Sequence, residues 1–184
     1  MKSVETVIIG AGQSGLAMSY ELARAGIEHI VLERGQLANS WRQERWDSLR
    51  LLTPNWMNGL SGQPYAGPDA DGFMTNAELI EQFDAAALAN RTPIQSETHV
   101  LSVRQHWDGY LVQTDQGAIA CRAVVMANGY CGRPKVPGFA ADLPGNVAQF
   151  TPHSYKRPAD VPEGHVLVVG ASASGLQLAR ELQM

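Results

Sequence analysis

The apolar run Val7-Ile8-Ile9 stops at Gly10-Ala11-Gly12-Gln13-Ser14-Gly15, after which Leu16, Ala17, Tyr20 and Ala23 recur at helical spacing. A strand that is apolar on both sides belongs in a parallel sheet covered on both faces, which commits the chain to an α/β fold. Gly26 caps the helix, and Ile30-Val31-Leu32 supplies a second buried strand ending at Glu33. Together they form a βαβ unit with a right-handed crossover. Each glycine of the GxGxxG spacing has a distinct role. Gly10 makes the tight turn, Gly12 lets backbone approach a diphosphate, and Gly15 lets helix and strand pack closely. The amides at the helix start, Gln13 and Ser14 among them, offer unpaired donors and the positive end of the helix dipole. Glu33, with Arg34 beside it, stands where a carboxylate accepts from ribose hydroxyls, which favours an adenosine with a free 2′-OH. The alternative is a glycine-rich turn that holds no ligand.

A second turn of the same form, Gly170-Ala171-Ser172-Ala173-Ser174-Gly175, follows Val166-Leu167-Val168-Val169 and opens another helix. Val166–Val169 is expected to be a third buried strand. Ser172 replaces the middle glycine, and its side chain would either crowd a diphosphate or donate a hydrogen bond to it. The two turns are too far apart for one βαβ unit and suit two nested nucleotide sites, with Gly170, Ser172, Ser174 and Gly175 serving the second.

Between the turns the pattern changes twice. Residues 34–71 lose periodicity and carry Trp41, Trp46 and Trp56, as expected of a long loop lying over something. Trp41 and Trp46 either pack on a ligand or anchor the loop. Arg42 either neutralises ligand charge or pairs with Glu44 or Asp47. Thr75-Asn76-Ala77-Glu78 has capping-box form and opens a helix to about Asn90, with Leu79, Ile80, Phe83 and Ala87 on its apolar face. Thr98–Trp107 and Tyr110–Thr114 then flank Asp108-Gly109, a hairpin signal. Asp115-Gln116-Gly117 turns into Ala118–Ala127, giving a three-stranded meander whose last strand rejoins the main sheet. The stretch from Gly129 to Pro162 is rich in proline and glycine and reads as a linker, with Tyr155, Lys156 and Arg157 exposed in it.

Composition excludes several classes. With 184 residues the chain makes one domain, or one and part of another, and 45% hydrophobic content with 17% charged rules out a disordered polyelectrolyte. A net charge of -4 without a basic tract argues against nucleic-acid binding. No apolar run approaches the ~20 residues of a membrane span. Glu5 sits where a signal peptide would be apolar, so a cytoplasmic protein is expected. Cys121 and Cys131 make neither a CxxC nor a metal spacing, and His29, His99, His106, His153 and His165 show no HxxxH or HExxH pattern, so no metal is expected.

Taken together, the two glycine turns, Glu33, the meander and Ala127-Asn128-Gly129 resemble the two-dinucleotide flavoproteins, which hold FAD at an N-terminal turn and NAD(P)H at an inserted one. Asn128 replaces the family's usual Thr, while Gly129 retains the close backbone approach. Asn39-Ser40-Trp41-Arg42 resembles the GGxWR stretch of class B flavin monooxygenases, and Pro134-Lys135-Val136-Pro137-Gly138 resembles their PxxPG linker. The fingerprint FxGxxxHxxxY is incomplete here, because Phe150 lacks the following Gly and His153 lies too close to it. Residues 41–50 are similar to a wider set of FAD-dependent oxidoreductases. The resemblance implies a Rossmann-like FAD-binding parallel sheet with an inserted β-meander, plus the first βα of a second NAD(P)-binding unit. It divides the chain into an FAD-binding domain at 1–150, with its meander at about 98–120, and a linker and start of an NAD(P)-binding domain at 151–184. It also implies that NAD(P)H reduces the flavin and that reduced flavin activates O2 to oxygenate a small organic substrate. An NAD(P)H–flavin oxidoreductase without oxygenation and an inactive dinucleotide-binding fragment are the alternatives. No residue identifies itself as a catalytic acid, base or nucleophile. A βαβ unit takes about thirty residues, so the short tail after Gly175 reads as an N-terminal fragment or truncated product. In such a piece an exposed edge at Val166–Val169 favours self-association.

Overall fold

The computed structural model describes residues 2–183. One six-stranded sheet organises it, in the order β3-β2-β1-β6-β5-β4. Its strands are β1 (Lys2–Ile9), β2 (His29–Leu32), β3 (Ile94–Gln95), β4 (Val100–His106), β5 (Gly109–Thr114) and β6 (Gly117–Met126). The β3-β2-β1-β6 portion is parallel, and β5 and β4 continue it antiparallel. β6 is long enough to do both jobs. It pairs with β5 from Gly117 to Cys121 and with β1 from Ile119 to Met126, so the meander is a continuation of the nucleotide-binding sheet.

Side chains alternate across the sheet as strand geometry requires. Val7, Ile9, Leu32, Val112 and Ile119 pack on one face, while Ile8 and Val31 pack on the other. The helices are α1 (Gln13–Arg24), α2 (Asn39–Gln43), α3 (Asn76–Ala89) and α4 (Ala173–Leu182). Leu16 of α1 meets Leu79, Phe83 and Ala86 of α3 in a separate apolar layer. The capping box forms: the Glu78 amide donates to Thr75 Oγ1 at 3.2 Å, and the Thr75 amide donates to Glu78 Oε2 at 2.7 Å. Among the described residues no helix is long and apolar enough to cross a membrane.

Four expectations need correction. Val166–Val169 is neither a strand nor buried, for Leu167 is 86% exposed and no described strand lies alongside to pair with it. The sheet edge expected there is therefore not formed. The hairpin turn is Trp107-Asp108, closed by the His106–Gly109 pair, instead of Asp108-Gly109. Gly109 lies in the strand, paired with His106, at a position where a Cβ would overlap the Cys121 carbonyl of β6. In α3 it is Ala86, in place of Ile80, that joins Leu79 and Phe83 on the buried face, with Ala87 partly buried against the same cluster as expected. The linker is not uniformly exposed either. Tyr155 is buried against Trp46 and Leu49, and Lys156 Nζ donates to the Arg45 carbonyl at 2.8 Å.

Candidate functional site

In this sheet the chain leaves β1 for β2 on one side and pairs β1 with β6 on the other, so a crevice opens beyond the C-terminal ends of the strands. The Gly10–Gly15 turn lies at that point. Gly10 has φ +106, a region costly for any side chain, and a Cβ there would press on the Ala127 carbonyl. A Cβ at Gly15 would overlap the Gly10 carbonyl oxygen. The fold therefore requires both residues to be glycine. Gly12 differs. Its φ of -91° suits any residue, and a Cβ there would meet no protein atom within 4 Å. Nothing in the protein's own packing calls for glycine at position 12, while the space before it is open.

The turn is tied to the end of β2. Ala11 N–H donates to Glu33 Oε2 at 2.8 Å, and Gly35 N–H donates to Oε1 at 3.3 Å. Glu33 is thereby buried and fixed, with lone pairs left on both oxygens. The Ala11 carbonyl accepts from Ala38 N–H at 3.1 Å, which seats the start of α2 beside the turn. Ala38 has φ +59, an infrequent conformation for a non-glycine residue, and it turns the chain into α2.

These elements enclose a cleft of about 880 Å³. The turn contributes Gly10, Gly12, Gln13 and Ser14, the end of β2 contributes Glu33 and Arg34, and Gly129 lies on the far loop. Trp41 forms part of the wall, its ring edge-on to Phe83 with centroids 6.4 Å apart. Trp46 lies away from the cleft, in the core with Leu49 and Tyr155. Gly15 sits behind the turn and packs it. Arg42 does not line the cleft: it donates to the Leu37 carbonyl at 2.8 Å and to both Asp84 oxygens at 2.6 Å, so its ion-pair partner is neither Glu44 nor Asp47. Arg34 pairs with Glu44, and Asp47 pairs with Arg157 at 3.2 Å.

Sequence reading missed Arg45, whose guanidinium lies 5.3 Å from the Trp41 ring centroid at the cleft wall. It also missed the segment that leads into and begins β4, Thr98 to Val103, which forms another wall. Arg45 had a signal, since it follows Trp41 by one helical turn. The β4 wall had none, because its contribution depends on how the meander continues the sheet.

The second turn repeats the first. Gly170 has φ +113, and a Cβ at Gly175 would overlap the Gly170 carbonyl oxygen. Ser172, at φ -86° and ψ -179°, holds the conformation that Gly12 holds at -91° and -166°. Ser174 is half-buried in the first turn of α4. This second group lies outside the first cleft. Its helix is fastened to the loop after α2: Gln177 Nε2 donates to the Arg50 carbonyl at 3.0 Å, and Arg50 N–H donates back to Gln177 Oε1 at 3.2 Å. Leu178 and Leu182 pack on the Trp46–Leu49–Tyr155 cluster. Burial pushes the Tyr155 hydroxyl up to about 12, and the Glu181 carboxylate beside it adds to the rise, although the hydroxyl makes no hydrogen bond of ordinary geometry.

A parallel sheet with a glycine turn at its switch point, an acid closing β2, a meander and a second glycine turn defines the two-dinucleotide oxidoreductase fold. The chain belongs to the pyridine nucleotide-disulphide oxidoreductase family, whose profile matches residues 7–184. It is 37% identical over 180 residues to an uncharacterized CzcO-like oxidoreductase of Geobacillus kaustophilus, covering 97% of this chain and 51% of the relative. It is 31% identical over 188 residues to the indole-3-pyruvate monooxygenase YUCCA6 of Arabidopsis thaliana, covering 96% and 44%. A flavin-containing monooxygenase from Stenotrophomonas maltophilia superposes on the whole chain with a TM-score of 0.87 at 27% identity, using 56% of that chain. The bacillithiol disulfide reductase from Staphylococcus aureus shares the fold, with a TM-score of 0.87 at 21% identity over 55% of its chain. The chain thus spans about half the length of the curated relatives it matches, and its relatives are flavin-dependent oxidoreductases and monooxygenases.

Proposed function

We propose that the chain is the FAD-binding portion of an NAD(P)H-dependent flavin monooxygenase that acts on a small organic substrate. The observation that carries this reading is Gly12: the fold has no need of a glycine there, but a diphosphate lying against the backbone does. The cleft is of a size for such a ligand. The turn amides and the N-terminus of α1 would hold the diphosphate, and the free lone pairs of Glu33 would accept from the ribose. Trp41 would exclude water along one wall, and Gly129, at φ +75, would let the backbone come close to the flavin. FAD supplies the electron transfer and oxygen activation when bound. The second turn would take the pyridine nucleotide, with the Ser172 hydroxyl donating where the first turn has only an amide.

The named monooxygenases among the relatives support oxygenation. The incomplete FxGxxxHxxxY fingerprint, in which Phe150 lacks the following Gly and His153 lies too close, favours, as second reading, flavin reduction without oxygenation. Reconstitution with FAD followed by anaerobic addition of NADPH tests the whole proposal. Flavin absorbance that stays with the protein after gel filtration and then bleaches is expected, and a protein fraction left colourless once excess FAD is removed sinks it. With a family-wide substrate panel, oxygenated product matching the oxygen consumed supports the first reading, and hydrogen peroxide alone supports the second. In the 184-residue chain the exposed Val166, Leu167 and Val169 favour self-association. Sedimentation should show mass increasing with concentration, and replacing Leu167 by a charged residue should reduce it.

A further inference from the structure

We propose that Arg45 ligates the diphosphate of the bound nucleotide from the Trp41 wall of the cleft. The inference rests on the reading of that cleft as a dinucleotide site and assigns it a residue that the glycine motif does not contain. Three arginines lie on or beside the segment bordering the turn, and two of them are neutralised: Arg34 by Glu44, and Arg42 by Asp84. Arg45 has no carboxylate within ion-pair distance among the described residues. Glu33, the carboxylate of the cleft, turns both oxygens to the amides of Ala11 and Gly35.

Arg45 is nevertheless half-buried and held in place. Its guanidinium stacks on Trp41, its Nη1 donates to the Glu44 carbonyl at 2.8 Å, and its own carbonyl accepts from Lys156 Nζ at 2.8 Å. A cation withdrawn from water without an anion is unfavourable, so a fixed and uncompensated guanidinium marks where an anion is expected. The diphosphate supplies it. The amino end of α1 offers only about half a positive charge against the two negative charges of that group. A planar guanidinium with free N–H edges matches phosphate oxygens in a way an ammonium does not. Stacking on Trp41 removes rotamer freedom before the ligand arrives.

The test uses the 184-residue chain and titrates ADP, adenosine and FAD calorimetrically into wild type, Arg45→Ala, Arg45→Lys and Gly12→Val. Loss of a hydrogen-bonded charge should weaken ADP and FAD by roughly 10- to 100-fold in Arg45→Ala. Adenosine, which lacks the diphosphate, should bind that variant within about twofold of wild type, and Arg45→Lys should regain part of the ADP affinity. Gly12→Val should remove the same ADP binding, which assigns it to the first turn. ADP affinity unchanged in Arg45→Ala overturns the proposal. An equal loss for ADP and adenosine also overturns it, because that marks a packing defect. Wild type that binds FAD and ADP while Arg45→Ala binds ADP normally defeats this assignment alone. Wild type that binds neither defeats the dinucleotide reading as well.

Discussion

Gly12 and Gly15 are three positions apart in one motif, yet substitution should separate them completely. Gly12→Val adds a side chain where no protein atom lies within 4 Å of the Cβ, at a backbone angle any residue adopts. It should therefore keep a melting temperature close to wild type while failing to retain FAD after gel filtration. Gly15→Val drives a side chain into the Gly10 carbonyl, and the expected outcome is loss of cooperative unfolding itself. The motif alone could not rank these residues, because the role of each depends on its three-dimensional neighbours. The same holds for Gly109. Its place after Asp108 reads as a turn signal, while its actual duty is to make room for the Cys121 carbonyl on the adjoining strand. Arg42 was legible as a cation next to Trp41, but its choice of Asp84 on α3 depended on a contact 42 positions away in sequence.

At the scale of elements, α3 is the clearest case of local sequence dictating structure. Its capping box is written in Thr75 and Glu78, and Thr75→Ala should destabilise the chain by about 0.5–2 kcal/mol, measured by chemical denaturation. The Thr75 backbone amide, then its hydroxyl, hold the Glu78 carboxyl below the usual carboxylate range. A carboxyl lowered on folding contributes stability above its unfolded value of 4.5, and that contribution fades as pH falls through the folded value. Glu78→Gln should flatten this acid limb of the stability curve. Tyr155 works in the opposite sense. Its hydroxyl rises from 10.0 to about 12 on folding, so the neutral form is the one the Trp46 cluster accepts. Its contribution is complete below pH 10 and declines as pH climbs toward 12, and Tyr155→Phe should remove that alkaline loss. Strands β1 and β2 were legible because each is apolar on both sides. The two-residue β3 was not, since Ile94-Gln95 becomes a strand only by lying beside Val31 and Leu32. Val166–Val169 shows the converse, for a β-rich run with nothing described to pair with it stays outside the sheet.

For the whole molecule, the contacts between early and late sequence decide how the two glycine turns relate. Residues 41–50 face the first cleft through Trp41 and Arg45 and receive α4 through Trp46, Leu49 and Arg50. Gln177→Ala removes both hydrogen bonds to Arg50. At about 1 kcal/mol each, their loss should speed amide hydrogen exchange in α4 by roughly tenfold or more, while β1 and β6 exchange as before. This organisation was half legible. The paired turns announced two related units, but nothing in a proline-rich linker signalled that Tyr155 and Lys156 would return to the loop after α2.

Fastening at both Lys156 and Gln177 has a mechanical result for the residues between them. A strap anchored at its two ends can bow outward but cannot swing like a gate on one hinge. The second glycine turn, riding just inside the later anchor, then has little freedom of travel unless the Gln177 clasp opens first.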